Sequence, residues 1–446
     1  MASSHQTQLG QFFTKSPKVQ QLIANLIQNP TGHALEPSAG EGHLAQAIGQ
    51  HHPALTLTSV EIDGELPWVG PNRPIITDFF VWATQTTKRF TTIFGNPPYV
   101  AWKNVTDQTK QHCHEIKQNY SGKTNLYHLF IDRCIDLLEP KGELIFIVPK
   151  EWLYATAAAP LRHKLLTHGA ITHLVDCGEE KLFGDATPPA LIVFRYQKNT
   201  QQSTIKFAKT IDTALSTTWD RLKLHTNADR WILLEESLAT QIASWGQFKD
   251  LFDVKVGLVT GLDRAYKTGP DCVEPEATQT QITTKKTVEH FINVNWANTE
   301  TEIPPLALKH LQTWKPQLLN RKIADFNENN WWKYGAVRNE ALMSSKTNRF
   351  YVLAKTRNPE PFFENPQGSG AYTGGVLGVF IKPHCDTPVA SLVAAANSAL
   401  FRQVLEAMFL TTGDRLSLQP KTLEEAPFPT TPEGIETLAA TNKNTP

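Results

Sequence analysis

The stretch "HALEPSAGEGHLAQAI" (His33–Ile48) runs from a short apolar, strand-like segment through a glycine-rich turn into a helix. Gly40 and Gly42 permit a tight turn and close approach of backbone to a ligand, and the residues that follow open a helix whose free N–H groups face the loop. An ordinary βα connection has the same look, so the surroundings decide. From His33 to about Lys198 similar runs recur, "LTLTSVEI", "PIITDFF", "FTTIFG", "GELIFIVP", "ITHLVDCG" and "ALIVFRY", most of them separated by helix-length segments. Strands alternating with helices give an α/β fold. Continuous apolar runs such as "LIFIV" are buried on both faces, which requires a mostly parallel sheet covered by helices on each side. Helices are expected over Pro17–Gln28, with Pro17 in the first turn, and over Asn125–Leu138, where Leu126, Leu129, Phe130 and Ile135 share a face.

A chain of 446 residues is too long for one ordinary core. Between about Gln197 and Asp250 the alternation fades into Thr- and Gln-rich sequence; past it Pro, Asn and Trp are frequent and strands look short. The expected division is a first domain over 1–240, a mixed α+β second domain over 241–430 and a polar, disordered tail over 431–446. Five cysteines, widely spaced and without a C-x-x-C pair, argue against a disulfide framework or zinc knuckle and fit a reducing cytoplasm. No signal pattern opens the chain and no apolar run approaches the ~18 residues of a membrane span, so a soluble cytoplasmic protein with no membrane partner is expected.

Two further strand ends add to the glycine turn. "SVEID" places Glu61 about 20 residues on, where a carboxylate can accept hydrogen bonds from ribose hydroxyls. "TDFF" offers Asp78 as acceptor for an adenine amino group and Phe79 as an apolar wall. Ligands in open α/β sheets sit at the carboxyl ends of the strands, so these residues converge. The loop lacks the Lys-Ser/Thr of a phosphate cradle and carries Glu36 and Glu41, which repel pyrophosphate but suit a cationic nucleoside such as S-adenosylmethionine. For each acid alone a solvated loop carboxylate is the commoner case; the joint pattern carries the reading.

The next strand stops in "IFGNPPYVAW" (Ile93–Trp102). Its two prolines donate no hydrogen bond and fix φ, holding Asn96 Oδ1 and the Pro97 carbonyl as rigid acceptors at the sheet edge. A planar exocyclic amine is a poor nucleophile because its lone pair is delocalised. Accepting hydrogen bonds from both its N–H groups favours a more tetrahedral nitrogen able to attack a methyl sulfonium. Tyr99 supplies an aromatic surface for a base taken out of its stack; a plain turn with a packed tyrosine is the alternative.

Together these stretches resemble the TaqI-like adenine-N6 DNA methyltransferases, which carry a C-terminal recognition domain. "LGQFFTKSPKV" looks like the family's N-terminal cofactor motif, "LEPSAGEG" its glycine motif, "VEID" its ribose motif, "TDFFVW" its adenine motif, "GNPPY" its catalytic motif and "EKLFGDATPPALIVF" its target-base motif. The resemblance implies a Rossmann-like, seven-stranded methyltransferase sheet. It also implies S-adenosylmethionine contacts from Thr14, Glu36, Pro37, Ser38, Ala39, Gly40, Glu61, Ile62, Asp78, Phe79 and Pro97. Asn96, Pro97, Pro98 and Tyr99 would handle the target amine, with Phe183 stacking on the flipped base and no metal required. Lys15-Ser16 before Pro17, and Asn125 in place of a common aspartate, depart from the pattern.

Charge is balanced overall, with 43 basic and 43 acidic residues, but between Trp314 and Arg357 nine basic residues face three acids. Lys315, Arg321, Lys333, Arg338, Arg349 and Arg357 are the DNA-binding candidates. They are interleaved with Trp314, Phe326, Trp331, Trp332, Tyr334, Phe350 and Tyr351. A solvated basic face over a small core reads the same way. Double-stranded DNA is the expected partner; an N-P-P-Y enzyme acting on RNA or a protein glutamine, or an inactive DNA-specificity module, are the rivals. Because the first motif begins near Leu9, modification without cleavage is expected, with any cognate restriction endonuclease on a separate chain. "HCHE" (His112–Glu115) suggests metal only superficially and is expected to lie on an exposed helix.

Overall fold

The computed structural model describes residues 12–441 except 179, 181, 184–189, 203, 228, 229, 366–369, 409, 413 and 414. The first sheet follows from the alternation of strands and helices. Strands β1 (Gly32–Glu36), β2 (Leu55–Glu61), β3 (Ile75–Ile76), β4 (Phe90–Gly95), β5 (Leu138–Pro149), β6 (Gly169–Asp176) and β7 (Leu191–Lys198) lie in the order β3-β2-β1-β4-β5-β7-β6. All run parallel except β7, which is antiparallel to β5 and β6. Successive side chains of a strand point to opposite faces. Leu144, Phe146 and Val148 of β5 therefore join one apolar cluster, while Ile145 and Ile147 join another.

Each cluster is closed by its own helices. Helices Phe79–Gln85, Leu126–Leu137 and Ala159–His168 supply the first, and helices Pro17–Leu26, His43–His51 and Ile211–Leu215 the second. The helices expected at Pro17 and Asn125 are present, the latter capped by Asn125 Oδ1, which accepts from Tyr127 N.

The expected seven strands are extended by three more, β8 (Thr204–Ala208), β9 (Asp220–Asn227) and β10 (Arg230–Leu234), in the order β6-β8-β9-β10. These occupy the segment whose alternation faded. In β8 only Ile205 and Ala208 are buried and none of 220–224 in β9 is, so their apolar signal is thin although Thr favours strands; in β10 Trp231, Ile232, Leu233 and Leu234 are all buried, a run of four within polar sequence.

The chain falls into two compact units, one drawn from 1–241 with 407–413 and the other from 242–406 with 414–446. In the second unit, one four-stranded sheet contains Phe252–Val256, Arg349–Leu353, Phe362–Phe363 and Val376–Ile381. Another contains Lys267–Thr268, Thr278–Ile282, Val288–Ile292 and Ala371–Tyr372. The stretch 431–446, expected to be disordered, instead carries helix Pro432–Ala440; Thr431 Oγ1 accepts from Gly434 N, and Ile435 and Leu438 are buried. A polar average concealed an i, i+3 apolar pair. Residues 442–446 lie outside the described ones. No helix among the described residues is long and apolar enough to cross a membrane.

Candidate active site

From β1 the chain winds outward through β2 and β3, then returns to the other side of β1 as β4. The order therefore reverses between β1 and β4, and the crevice at such a reversal is where open α/β sheets bind ligands. The carboxyl end of β1 is Glu36-Pro37-Ser38, and that of β4 is Gly95-Asn96-Pro97-Pro98. A cleft of about 790 Å³ opens there, lined by Phe12, Pro37, Ser38, Gly40, Glu61, Ile62, Asp78, Phe79, Asn96, Pro98 and Phe130 among others. A smaller recess of about 280 Å³ shares Phe12, Ser38, Gly40 and Asn96 and adds Thr14, Glu36 and Ala39. Pro97 is buried next to Pro98.

The turn between β1 and helix His43–His51 needs its glycines. Gly40 (φ +55°) and Gly42 (φ +82°) both lie in the left-handed region, and a Cβ on Gly40 would stand 2.8 Å from the Phe13 ring. Glu61 is tied into this turn: Oε2 accepts from Gly40 N at 2.6 Å, and Oε1 accepts from Ile62 N and Asp63 N at 3.0 Å. Three of the carboxylate's roughly four acceptor positions are thus taken by backbone. Burial raises the Glu61 carboxyl above its usual range, opposed by those amides.

Glu36 is different. It is 3% exposed, and among the described residues its Oε2 has no hydrogen-bond partner. Burial first and the charge of Glu61 second push its carboxyl well above the ordinary value, while the Ala45 amide pulls it back. An orphaned buried carboxylate oxygen lining a recess fits a cationic group there. The residues present therefore fit a ligand with a nucleoside end in the larger cleft and a positive end beside Glu36.

Asp78 Oδ1 accepts from Phe80 N and caps helix Phe79–Gln85; Oδ2 accepts from Thr109 Oγ1 at 3.0 Å and lies 3.2 Å from His112 Nδ1. Phe79 stacks on Phe130 with centroids 4.8 Å apart. Neither Thr109 nor His112 was anticipated. "HCHE" is not one exposed helix: Cys113 is buried and His112 turns toward Asp78. Its only legible signal is Thr106, which caps helix Asp107–His112 soon after the N-P-P-Y turn. Among the described residues no group of three or more His, Cys, Asp or Glu could hold a metal ion.

The Asn96 amide is oriented by its surroundings. Nδ2 donates to the Phe12 carbonyl at 2.6 Å and to Thr14 Oγ1 at 3.2 Å. A carbonyl only accepts, so the amine faces Phe12 and Oδ1 is turned the other way, where it accepts from Tyr99 Oη. The Tyr99 hydroxyl also reaches the Ile147 carbonyl at 2.9 Å, and burial keeps it protonated by raising its pKa well above the ordinary value. The Tyr99 ring stacks on Phe12, with centroids 5.4 Å apart and planes at 27°, and Phe12 in turn meets Phe183 at 5.8 Å. Leu9, Gly10 and Gln11 of the N-terminal motif, and 184–189 of the target-base motif, lie outside the described residues.

Comparison with known proteins bears on this arrangement. Residues 65–183 match the family described as Eco57I restriction-modification methylase. The chain is 31% identical over 204 residues to the Type II methyltransferase M.HincII of Haemophilus influenzae, covering 44% of this chain and 39% of that one. The chain is also 29% identical over 169 residues to the Type II methyltransferase M.TthHB8I of Thermus thermophilus, covering 34% of this chain and 38% of that protein. The matches span about two fifths of the length of these curated relatives. The Type IIL restriction-modification enzyme MmeI, solved in complex with DNA, is similar at TM-score 0.57 and 10% identity over 91% of this chain and 63% of that one; the likeness concerns the fold.

In the second unit the basic candidates divide. Arg321 is 8% exposed and donates to the carbonyls of Leu318, Thr260 and Trp331 and to Tyr266 Oη, with its guanidinium 3.6 Å from the Phe326 ring centre. Arg349 donates to the carbonyls of Leu342, Met343 and Ser345. Arg321, expected to contact DNA, is a buried structural residue, since its guanidinium is spent on four protein acceptors; Arg349 is half-buried and directs Nη1 and Nη2 to carbonyls. Lys315 pairs with Glu328 at 2.7 Å and lies over the Trp331 ring. Lys333 is half-buried, and Arg338 and Arg357 are exposed. Trp331, Trp332, Tyr334, Phe350 and Tyr351 are core residues, so the aromatic interleaving is packing.

Proposed function

We propose that the protein is a site-specific DNA adenine-N6 methyltransferase, using S-adenosylmethionine and serving the modification arm of a restriction-modification system. The observation that carries this reading is the fixed Asn96 amide, whose Oδ1 accepts from Tyr99 Oη and which lines both the cleft and the recess, beside Glu36, whose Oε2 has no partner among the described residues. When bound, S-adenosylmethionine supplies a methyl group on a sulfonium. Glu36 would hold its positive end and Glu61 and Asp78 its nucleoside end, with Pro37, Ser38, Ala39, Gly40, Ile62 and Phe79 as walls and Thr14 and Pro97 nearby. Asn96 Oδ1 and the Pro97 carbonyl would each accept a hydrogen bond from one N–H of the target amine, which favours a more tetrahedral nitrogen with its lone pair free for methyl transfer. Tyr99 and Phe183 stack on the base, and Pro98 keeps the turn rigid.

The first domain, 1–240, would then be catalytic, and the second, 241–430, would bind duplex DNA through Lys333, Arg338 and Arg357 with Lys315. A cognate endonuclease on a separate chain completes the proposal; the Escherichia coli relative RM.Eco57I is itself named as both restriction enzyme and methyltransferase. Sequencing of modified bases in DNA from a methylation-free host expressing the protein tests base and site together. Methyladenine at one short motif is expected; unmodified DNA, or methylcytosine, would overturn the reading.

Glu36→Gln separates cofactor binding from stability. A positive ligand needs the ionised carboxylate, so the variant is expected to lose about 1.5–3 kcal/mol of S-adenosylmethionine affinity, roughly ten- to hundredfold. Without ligand the sign reverses. The folded-state carboxyl is raised, so the stability it contributes is present at low pH and is lost as pH climbs from the unfolded value through the folded one. The ligand-free variant should therefore melt higher than wild type at pH 8. Calorimetric titration and thermal melts across pH read both effects, and equal melting at pH 8 would contradict the second.

Tyr99 can be dissected in the same way. One hydroxyl hydrogen serves both Asn96 Oδ1 and the Ile147 carbonyl, so Tyr99→Phe keeps the ring and frees the Asn96 acceptor. Its use of DNA should stay within about tenfold of wild type. Tyr99→Ala loses the stack, worth about 1–3 kcal/mol per base. Steady-state KM for DNA distinguishes them, and equal defects in the two variants would rule out a stacking role.

A further inference from the structure

We infer that the ring of Phe12 holds the place of the extrahelical base in the DNA-free protein and must swing away for the base to enter. This rests on the reading of Asn96 and Tyr99 as the target-base site. The two rings assigned to the base, Tyr99 and Phe183, are both in contact with the single ring of Phe12, at centroid distances of 5.4 Å and 5.8 Å. The contact with Tyr99 is a stack with planes 27° apart, the arrangement a base would adopt there. Phe12 also lines both the cleft and the recess. Aromatic faces left bare at the mouth of a cleft would be wetted, and a phenyl ring covers them with a flat apolar surface that asks for no hydrogen bonds.

The same residue is joined to the catalytic amide through its backbone, since its carbonyl accepts from Asn96 Nδ2 at 2.6 Å. Rotation about χ1 moves the ring and leaves that carbonyl in place. Phe12 thus keeps Asn96 oriented in both states while its side chain yields the stacking surface. Exchange of one stacked ring for another also lowers the net gain on flipping: each ring contact given up by Phe12 offsets part of what the base gains. A ring contact of this kind is worth roughly two- to tenfold in an equilibrium.

The test uses the full chain, saturating S-adenosylmethionine and a duplex carrying 2-aminopurine at the adenine identified by sequencing modified bases. Phe12→Ala should bind this duplex roughly tenfold more tightly than wild type, or show a correspondingly larger flipped fraction by fluorescence. Phe12→Leu, which keeps apolar bulk but not a flat face, should fall between them and serves if the alanine variant does not fold. Phe12→Trp should flip less than wild type. Unchanged flipping, or weaker flipping in the alanine and leucine variants, would make Phe12 a permanent wall of the slot and overturn the inference. Wild-type protein that transfers no methyl group to any DNA would overturn the reading beneath it, and the inference with it.

Discussion

Replacing Asn96 with alanine is expected to lower the methyl-transfer turnover number on the order of 10²–10³-fold or more, as loss of a preorganised polar contact to a reacting group does elsewhere. Cofactor affinity should change far less. In the proposed function Oδ1 is the acceptor offered to the amine, whereas cofactor binding is assigned to Glu36, Glu61 and Asp78. The amide also anchors the Phe12 carbonyl and Thr14 Oγ1, so alanine loosens that segment as well as removing the acceptor. Asn96→Asp resolves the two effects. It keeps an acceptor beside Tyr99 but sets a carboxylate oxygen against the Phe12 carbonyl, so it should misplace the segment and still retain more turnover than alanine. Single-turnover rates at saturating cofactor, with cofactor affinity measured separately, check this. Turnover in Asn96→Ala within tenfold of wild type would end the assignment.

Arg195→Ala is expected to cost about 3–5 kcal/mol of stability, because it strands a buried carboxylate. Glu143 is 0% exposed and Arg195 1%. Arg195 Nε donates to Glu143 Oε2 at 2.8 Å, and its Nη1 donates to Thr172 Oγ1 at 2.7 Å. The other carboxylate oxygen accepts from the backbone N–H groups of Gln28 and Asn29 at 2.9 and 2.7 Å. One pair thus ties β5, β6, β7 and the segment following helix Pro17–Leu26. It stands toward the amino end of β5, away from the cleft, so activity should fall only as the protein unfolds. Denaturant melts check the magnitude. Arg195→Met combined with Glu143→Leu should recover most of the loss, since apolar replacement of a buried pair is often near neutral. A single variant as stable as wild type would show that the pair is dispensable.

The parts of the fold that could be read in sequence are those whose signal is local. Leu144 to Val148 announce a strand buried on both faces, and Pro17 and Asn125 mark helix starts. The glycine turn could be read because left-handed φ admits few other residues. Strands β8 and β9 were hidden because few of their residues are buried, and β10 because its buried run, Trp231 to Leu234, is short and stands within polar sequence. Arg321 was misjudged because a guanidinium looks alike in sequence whether it meets phosphate or four protein acceptors. Glu36 was legible as an acid near a cationic ligand; that its outer oxygen is unpartnered was not, for this depends on what the Ala45 amide and Glu61 leave over. Phe12 was invisible as a functional residue, since its neighbours Tyr99 and Phe183 lie far away along the chain.

The unpartnered oxygen of Glu36 also bears on the lifetime of the protein in a cell. A site that is costly to keep empty makes its ligand a folding partner: saturation at a hundred times the dissociation constant adds about 2.7 kcal/mol. Protein made while the ligand is scarce opens more often and meets proteases in that state, so its abundance follows the ligand supply before any catalytic step is counted. Shortage would then thin the population of enzyme molecules as well as slow each one, and pulse-chase decay in starved and supplied cells should part company for wild type and converge for Glu36→Gln.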